Sequence, residues 1–371
     1  MNMINTKQFV DYLLGNGLEF FAGVPDSLLK NLCACVQDVC DSKHNITAAN
    51  EGNAVGLACG YHLATGKYGV VYMQNSGIGN VVNPLVSLAD EEVYKIPMLL
   101  LVGWRGEPGV PDEPQHKKQG KITWELFETM GIKTILLEDD YEHIIRDAVE
   151  YMTRHGKPVA LIVRKSTFSE YQYSKESVEY SMTRERALEV IVNHVNGDDI
   201  LVSTTGKTSR ELFELRERQG MGHANDFLTV GSMGHTSSIA LGVSLFSDRR
   251  VYCIDGDGSF LMHMGACAVN ANAMGDNFRY IIINNGAHES VGGQPTVGFH
   301  VRMQEILKDC GFERVYTARE EEEVEEGMRY LATHTKSAMV VCVRQGSREN
   351  LGRPTLSPQE NKRRLMENLL K

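Results

Sequence analysis

The fold of this chain is decided by residues 251–259, which read Val-Tyr-Cys-Ile-Asp-Gly-Asp-Gly-Ser. An apolar run is followed there at once by a polar turn with two glycines. Residues 281–286, Ile-Ile-Ile-Asn-Asn-Gly, repeat this order, and the spacing between Asp257 and Asn285 leaves room for one helix and one strand. Short apolar runs that end in turns are typical of buried strands in α/β proteins, where ligands bind at the carboxyl ends of strands. The two stretches therefore predict an α/β protein with a ligand site at Asp257 and Asn285.

Further apolar runs alternate with helical periodicity along the whole chain, which predicts parallel sheets covered by helices. The predicted strands are 20–24, 45–49, 70–73, 98–102, 134–137 and 159–163, then 200–203, 227–230, 251–254, 280–283 and 339–343. The polar segment 171–183 separates the two series. We expect a first domain at 1–170, a linker at 171–183 and a second domain with a C-terminal tail at 184–371. The predicted fold class is α/β, with two similar doubly wound parallel-sheet domains.

The two halves are also alike locally. Residues 60–77 and 242–258 share an order of helix, turn, strand and polar turn. This likeness indicates either the duplication of one domain or only the general similarity of such units, and the pattern by itself leaves both explanations open.

The composition is that of a soluble globular protein, with 42% hydrophobic and 23% charged residues. With 38 Lys and Arg against 48 Asp and Glu, the formal net charge is −10, which argues against a nucleic-acid partner. The N-terminal residues lack the pattern of a signal peptide, and no apolar run has transmembrane length. The eight cysteines form no CxxC pair, so we expect free thiols. These features predict a cytoplasmic protein with no membrane partner.

Asp257 and Asn285 offer hard oxygen ligands of the kind that Mg²⁺ takes when a diphosphate supplies further oxygens. Taken alone, Gly-Asp-Gly at 256–258 also fits a tight turn whose aspartate caps the next helix. The pair of asparagines at the end of the next predicted strand favours the metal site over the simple turn.

The two stretches together resemble the GDG…NN motif of thiamin diphosphate-dependent enzymes, and the resemblance extends over almost the whole chain. It implies a pyrimidine-binding first domain and a diphosphate-binding second domain. It also implies that Mg²⁺ binds Asp257, Asn285 and the backbone carbonyl of Ala287, and that a helix beginning near Ser259 directs amides at the diphosphate. The cofactor contacts implied in this motif are Gly256, Asp257, Gly258, Ser259 and Asn285.

A second segment fits the diphosphate as well. Residues 204–209, Thr-Thr-Gly-Lys-Thr-Ser, follow a predicted strand, so Gly206, Lys207 and Thr208 can present amides and a hydroxyl to phosphate oxygens. The Gly-Lys-Thr sequence also raises the alternative of a nucleotide-binding P-loop. That alternative fails, because the first glycine of the P-loop motif would fall at Leu201.

Residues 231–235, Gly-Ser-Met-Gly-His, resemble the loop that supports the pyrimidine ring in thiamin diphosphate-dependent decarboxylases. The resemblance implies that the backbone carbonyl of Gly231 accepts a hydrogen bond from the amino group of the cofactor. It also implies that Met233 props the cofactor in its bent form. The alternative is an ordinary entry into a helix, with small residues that allow close packing.

The resemblance implies that Glu51 supplies the group that makes the cofactor reactive in this family. It follows a strand-like run and opens a helix of small residues. The resemblance implies that it shares a proton with the aminopyrimidine ring, which needs a desolvated carboxyl group. The alternative is a first-turn glutamate favoured by the helix dipole. Because Glu51 and Asp257 lie in different predicted domains, the resemblance implies a homodimer or larger assembly with active sites at the subunit interface.

The lack of a middle domain makes the chain similar to the short members of this family, the phosphonopyruvate and sulfopyruvate decarboxylases. Residues 21–29 and 103–109 resemble their entry motif and substrate loop, and the tail at 351–362 is similar to the phosphonopyruvate enzymes in particular. The implied reaction converts 3-phosphonopyruvate into phosphonoacetaldehyde and CO₂ in phosphonate biosynthesis. The alternatives are sulfopyruvate decarboxylation and a non-catalytic, cofactor-binding regulatory role, against which Glu51 and the metal motif argue.

A basic segment at 105–121 is the predicted substrate-binding element of this acidic protein. Proline and glycine interrupt it, so we expect a loop. We expect Arg105 to hold the phosphonate of a small anionic 2-oxo acid through two hydrogen bonds, and lysines to act as point charges. The alternative is a solvated surface loop. The candidate substrate residues are Arg105, Lys117, Lys118 and Lys121, with Arg353 in the tail.

The carbon that loses CO₂ must be protonated. By analogy with an acid–histidine set in related decarboxylases, Asp26 and His116 are the candidates for that proton transfer. Asp26 has an alternative as the N-cap of a helix that includes Leu28 and Leu29, and His116 lies in the predicted loop.

Overall fold

The computed structural model describes residues 3–172 and 180–370. The chain forms two compact units. Unit 1 consists of Met1–Lys175 with Ser290–Gln294, and unit 2 consists of Glu176–Glu289 with Pro295–Lys371. Part of the predicted linker at 171–183 lies outside the described residues, so the predicted boundaries at 170 and 184 stay predictions.

Unit 1 is built on a parallel sheet of six strands in the order β2-β1-β3-β4-β6-β5. The strands are β1 Phe20–Gly23, β2 Asn45–Thr47, β3 Gly69–Gln74, β4 Met98–Gly103, β5 Lys133–Leu136 and β6 Val159–Val163. The helices are α1 Thr6–Gly15, α2 Lys30–Val39, α3 Glu51–Thr65, α4 Ile78–Pro84, α5 Pro114–Thr129 and α6 Tyr141–His155. A short 3₁₀ helix, Asn75–Gly77, precedes α4, and a π-helical turn, Leu85–Ala89, follows it.

Unit 2 has a second parallel sheet of six strands, in the order β11-β12-β10-β9-β7-β8. Its strands are β7 Ile200–Ser203, β8 Asp226–Leu228, β9 Val251–Gly256, β10 Phe278–Asn284, β11 Arg314–Ala318 and β12 Ser337–Cys342. Its helices are α7 Arg184–Asn193, α8 Lys207–Arg218, α9 Thr236–Leu245, α10 Asp257–Met262, α11 Gly265–Ala273, α12 Met303–Cys310, α13 Glu321–Thr333 and α14 Pro358–Leu369. Read from β8 to β11, with β7 counted as the first strand along the chain, this sheet has the same strand order as the sheet of unit 1. The structure thus confirms the prediction of two similar parallel-sheet domains.

Both sheets are buried on two faces, which explains why their strands read as continuous apolar runs. In β3, Val70 and Tyr72 join the core on one face of the sheet. Val71 and Met73 join the core on the other face. The strand β10 alternates in the same way between two cores of unit 2. Helices therefore cover both faces of each sheet, as a doubly wound fold requires.

The predicted strands are found in the structure, but one strand was missed. The strand β11, Arg-Val-Tyr-Thr-Ala, lies at the edge of its sheet, and within the described part of the chain its one partner strand is β12. Of its five residues only Ala318 is buried. An edge strand with so little burial lacks the apolar run by which the others were recognised.

The prediction of a loop at 105–121 is wrong for its second half. Residues from Pro114 onward form α5, with proline at its first position, where the missing amide hydrogen costs nothing. Lys117, Lys118 and Lys121 lie on the exposed side of this helix. Among the described residues, no helix is both long and apolar enough to cross a membrane.

Candidate cofactor and active site

In unit 2 the chain changes direction across the sheet between β7 and β9. These strands are neighbours, β7 leads on to β8 at one edge, and β9 leads on to β10 on the other side. In doubly wound sheets, ligands bind at the carboxyl ends of the strands at such a switch point. The segment after β7 leads into α8 at Lys207, with Gly206 at φ 91° as its N-cap. The turn after β9 leads into α10 at Asp257, so both predicted phosphate-binding segments lie at the switch point.

Asp257 is 3% exposed, and the contacts of its carboxylate define the predicted metal site. The Thr296 hydroxyl donates to Oδ2 of Asp257. Burial raises the pKa of Asp257 to about 6, although the hydrogen bonds from Thr296 and from the backbone amide of Asn285 act in the opposite direction. A buried carboxylate whose ionisation is disfavoured is one that a bound cation would stabilise. The contact with the Asn285 backbone also shows that the two predicted metal ligands lie together.

The side chain of Asn285 is held in one orientation. Its Nδ2 donates to Oε2 of Glu289 at 2.8 Å, and its Oδ1 accepts from the Ala287 backbone amide at 3.1 Å. Glu289 also accepts from Lys207 Nζ at 2.9 Å and from Arg184 Nη1 at 2.7 Å. Burial opposes ionisation of Glu289, but these two cations hold its pKa below the usual value. Glu289 is therefore an acceptor, which fixes the amide nitrogen of Asn285 on its side and leaves the amide oxygen as the atom that a metal could bind.

The support behind this contact is a buried ion pair. Arg184, at the start of α7, donates through Nε and Nη2 to both carboxylate oxygens of Glu211 at 2.7 and 2.8 Å. Both side chains are almost fully buried. Neither residue was predicted, nor were Glu289 and Thr296. Glu289 lies four residues after Asn285, which is the one signal that could have drawn attention to it.

The loop at 231–235 lies against the Gly-Asp-Gly turn. The backbone amide of Gly234 donates to Ser259 Oγ at 3.0 Å. A Cβ atom added at Gly258 would lie 3.1 Å from both Met233 Cε and His288 Cε1. The predicted cofactor residues Met233 and Gly258 thus lie next to each other, and His288, which was not predicted, lies beside them. Burial lowers the pKa of His288 to about 4, so its ring is neutral at physiological pH.

The residues at this switch point fit a metal-bound diphosphate. The predicted metal ligands supply a carboxylate, an amide oxygen and the backbone carbonyl of Ala287, all of them the hard oxygen donors that Mg²⁺ prefers. Ala287 is buried and forms an isolated bridge with Pro295. The described residues contain no cluster of three or more His, Cys, Asp or Glu side chains that could hold a metal by themselves. A site of this kind therefore depends on oxygens from its ligand to complete the metal coordination.

In unit 1, Glu51 has the desolvated setting that its predicted role requires. It is the first residue of α3, after the N-cap Asn50, and is 5% exposed. Its Oε2 accepts from Asn80 Nδ2 at 2.7 Å, and Oε1 lies so close to Gly77 that an added Cβ there would come within 2.3 Å. Burial raises the pKa of Glu51 above its usual value, although the Asn80 hydrogen bond lowers it. A solvated first-turn glutamate would not show this burial.

Asp26 lies at the switch point of unit 1, just beyond β1 and next to β3. It is fully buried, and it accepts from Gln74 Nε2 at 2.6 Å and from the Leu28 amide at 3.0 Å. Burial raises its pKa, while Gln74 and Arg105 act in the opposite direction. The alternative of an N-cap is wrong, because α2 begins at Lys30 with Leu29 as its N-cap.

Arg105 and His116 meet at a residue that was not predicted, Asp112. Arg105 donates to Asp112 through Nε at 2.8 Å and Nη2 at 2.5 Å, and through Nη1 to Ser27 Oγ at 2.7 Å. His116 is buried within α5 and its Nδ1 lies 2.9 Å from Asp112 Oδ1. The guanidinium edge that was expected to hold a phosphonate through two bonds is thus occupied by Asp112. Arg353 is an exposed residue of the tail between β12 and α14.

Comparison with known proteins identifies the domains. The family described as "Thiamine pyrophosphate enzyme, N-terminal TPP binding domain" matches residues 4–126. The family described as "Thiamine pyrophosphate enzyme, C-terminal TPP binding domain" matches residues 204–342. The first range lies in unit 1 and contains Glu51, and the second lies in unit 2 and contains Asp257 and Asn285.

Three relatives align with almost the whole chain. The phosphonopyruvate decarboxylase of Streptomyces viridochromogenes is 34% identical, over 98% of this chain and 94% of the relative. That of Streptomyces hygroscopicus is 32% identical, with the same coverage of both chains. The sulfopyruvate decarboxylase of Methanosarcina acetivorans is 26% identical, over 100% of this chain and 99% of the relative. The chain therefore belongs to the family of thiamin diphosphate-dependent decarboxylases that includes the phosphonopyruvate decarboxylases.

Proposed function

We propose that this chain catalyses the thiamin diphosphate- and Mg²⁺-dependent decarboxylation of 3-phosphonopyruvate to phosphonoacetaldehyde and CO₂. The observation that carries the catalytic part is the buried carboxyl group of Glu51, whose pKa is raised by burial at the start of α3. The choice of substrate is supported by identity, which is 34% to a phosphonopyruvate decarboxylase and 26% to a sulfopyruvate decarboxylase. Thiamin diphosphate supplies, when bound, the electron sink that decarboxylation of a 2-oxo acid needs.

The residues of unit 2 are proposed to hold the cofactor. Asp257, Asn285 and the Ala287 carbonyl would bind Mg²⁺, with the diphosphate oxygens completing its coordination. The remaining contacts follow from the two segments at the switch point and from the loop beside them. They are proposed for Gly206, Lys207 and Thr208, for Gly256, Gly258 and Ser259, and for Gly231 and Met233.

The residues of unit 1 are proposed to activate the cofactor and to move protons. Glu51 would share its proton with the aminopyrimidine ring of bound thiamin diphosphate, and its desolvation favours the protonated carboxyl group. Asp26 and His116 would form a proton relay to the carbon that loses CO₂, in which the protonated Asp26 is the donor and the neutral imidazole accepts a proton and passes it on. Burial raises the pKa of Asp26 and lowers that of His116, so the acid tends to keep its proton and the imidazole tends to be neutral.

The cations of this region are proposed to recruit the anionic substrate. Lys118 and Lys121 lie exposed on α5, where a charge acts on a diffusing trianion without a fixed contact. Arg105, whose Nε and Nη2 are bonded to Asp112, contributes its charge and its Nη1 atom rather than a two-bond grip. Arg353 in the tail is a further candidate for the same role.

The proposal includes an assembly and a location. Glu51 lies in unit 1 and Asp257 in unit 2, and the family resemblance implies that such residues meet in a homodimer or larger oligomer. Sedimentation of the cofactor-bound protein tests this directly, since a stable monomer with full activity would contradict it. All eight cysteines are free thiols, which supports a cytoplasmic location. The proposed role in phosphonate biosynthesis rests on the proposed reaction alone.

The test is a comparison of substrates. The purified protein, with thiamin diphosphate and Mg²⁺, is offered phosphonopyruvate, sulfopyruvate and pyruvate, and release of each aldehyde is measured. We expect kcat/KM to be at least about tenfold higher for phosphonopyruvate than for sulfopyruvate, a difference of about 1.4 kcal/mol in the barrier. A higher kcat/KM for sulfopyruvate would refute phosphonopyruvate as the proposed substrate but would leave the proposed decarboxylation in place. Absence of CO₂ release from all three would refute the proposed function.

A further inference from the structure

Asp112 is a heavily hydrogen-bonded carboxylate in the described part of unit 1, and it was not predicted from the sequence. It lies between β4 and α5 with 13% of its side chain exposed. Its Oδ2 accepts from Arg105 Nε at 2.8 Å and from the Gly106 amide at 2.8 Å. Its Oδ1 accepts from Arg105 Nη2 at 2.5 Å and lies 2.9 Å from His116 Nδ1. One side chain thus contacts both the candidate substrate cation and the histidine of the candidate proton relay.

We propose that Asp112 is a positioning residue that fixes the ring tautomer of His116 and the direction of the Arg105 guanidinium. This inference rests on the proposed function, in which His116 moves a proton and Arg105 lies beside the substrate. It adds the residue through which these two groups are held in one arrangement.

The tautomer of His116 follows from the chemistry of its partner. Burial opposes ionisation of Asp112, but hydrogen bonds from Arg105 and His116 hold its pKa well below the usual range. An ionised carboxylate can only accept, so the proton of the neutral ring must lie on Nδ1. The Nε2 atom of His116 is then the ring nitrogen with a free lone pair, and it is the atom through which a proton is exchanged.

The direction of Arg105 is set by the same carboxylate. With Nε and Nη2 bonded to Asp112, the remaining nitrogen, Nη1, donates to Ser27 Oγ at 2.7 Å. The Ser27 hydroxyl lies 3.5 Å from Oδ1 of Asp26. The charge of Arg105 is therefore held next to the buried Asp26, where it lowers the pKa that burial has raised.

The surrounding backbone leaves this arrangement little freedom. A Cβ atom added at Gly106 would lie 2.0 Å from the His116 carbonyl oxygen. One added at Gly120 would lie 1.7 Å from the Gly106 carbonyl oxygen. The turn that carries Arg105 is thus packed directly on α5, which carries His116. Asp112 binds across this contact, which favours a fixed support over a latch that the substrate displaces.

The variant that tests the inference is Asp112→Asn. An amide of the same shape turns one acceptor into a donor, so it cannot accept from both Arg105 nitrogens and His116 together. The matched control is Asp41→Asn. Asp41 Oδ1 lies 2.7 Å from His44 Nδ1 in an exposed turn, so the control breaks an aspartate–histidine pair of the same kind outside the site.

The first readout needs no substrate. Selective ¹⁵N labelling of histidine, with His116→Gln to assign the signal, reports the tautomer by NMR in the cofactor-free protein. We expect the Nδ1–H form of His116 in the wild type and its loss in D112N, with no change in D41N. An Nε2–H ring in the wild type would overturn the inference, even if D112N fails to fold. Because this readout is independent of turnover, an enzyme that is inactive on phosphonopyruvate would refute the proposed function alone.

The second readout is kinetic. If Asp112 acts by positioning His116, D112N lowers kcat by about 10²-fold or more, since a misplaced tautomer removes acid–base catalysis. The double variant D112N/H116Q should then lose little more than the worse single variant. Activity of D112N equal to that of D41N would overturn the inference. So would a lower KM in D112N, which would show that Asp112 competes with the substrate for Arg105.

Discussion

Replacement of Glu51 by glutamine removes the exchangeable proton of this side chain and keeps its shape. Glutamine keeps the volume that packs against Gly77 and still offers an oxygen to Asn80, whose Nδ2 lies 2.7 Å from Oε2. It cannot exchange a proton with a bound ring. Acid–base catalysis of this kind contributes about 10²- to 10⁴-fold, so E51Q should lose about 3 to 5 kcal/mol of transition-state stabilisation. Thiamin diphosphate should still bind with a Kd within about tenfold of the wild type.

The same substitution should raise the stability of the cofactor-free protein. The pKa of Glu51 is raised from its usual value of 4.5 in the folded chain, because burial disfavours the carboxylate. A raised pKa gives stability that is present at pH below about 4.5 and is lost as pH rises through the folded value. Glutamine does not ionise, so E51Q does not lose stability in this way as the pH rises. The Tm of E51Q should therefore exceed that of the wild type at pH 7 to 8, and the difference should shrink towards pH 4.5.

The assays are CO₂ release from phosphonopyruvate, calorimetric titration with thiamin diphosphate and thermal melts across pH. The control is Glu142→Gln, which makes the same change at an exposed residue in the first turn of another helix of unit 1. E142Q should keep its activity within about twofold, as surface changes usually do. The reasoning is refuted if E51Q keeps more than about a third of the wild-type kcat/KM, because loss of an acid–base group costs far more.

Three further predictions concern catalysis, cofactor binding and stability. Gly77→Ala places a Cβ 2.3 Å from Glu51 Oε1, so it should lower kcat towards that of E51Q. Gly79→Ala is the control, because a Cβ there would have no atom within 4 Å, and it should leave kcat unchanged. The measurement is CO₂ release from phosphonopyruvate. In the wild type, thiamin diphosphate at one hundred times its Kd should stabilise the folded protein by about 2.7 kcal/mol in the presence of Mg²⁺, and Asp257→Asn should lose this stabilisation. A cofactor-induced rise in Tm as large in Asp257→Asn as in the wild type would contradict this. Glu211→Leu removes the two-bond partner of the buried Arg184 and leaves it only the single bond to Glu289, so it should cost about 3 kcal/mol in urea unfolding. Arg184→Met/Glu211→Leu should cost less than the sum of the two single variants, and additive losses would refute the pairing.

The sequence identified most strands because burial on both sheet faces makes them continuously apolar. It missed α5 because the buried face of that helix consists of His116, Gly120, Thr123 and Phe127. These residues have helical spacing, but only one of them is apolar, so hydrophobic periodicity does not show it. The proline at position 114 was taken as a sign of a loop, whereas it stands at the first position of the helix.

In the candidate site, the residues predicted from sequence are those that belong to short motifs, such as Asp257 and Asn285. The residues that were missed act through contacts between distant segments. Thr296 donates to Asp257 from 39 positions further along the chain. Asp112 joins a turn to the following helix. No local pattern marks such residues, because only the folded chain brings their partners within hydrogen-bond distance.

The central claim is that this site decarboxylates a 2-oxo acid with thiamin diphosphate and Mg²⁺. The most direct measurement is CO₂ release from phosphonopyruvate by cofactor-stripped protein, with thiamin diphosphate alone, Mg²⁺ alone and both together. The account predicts turnover only when both are added, and none for Asp257→Asn at the same concentrations. Turnover without thiamin diphosphate, or no turnover with both present, would contradict it.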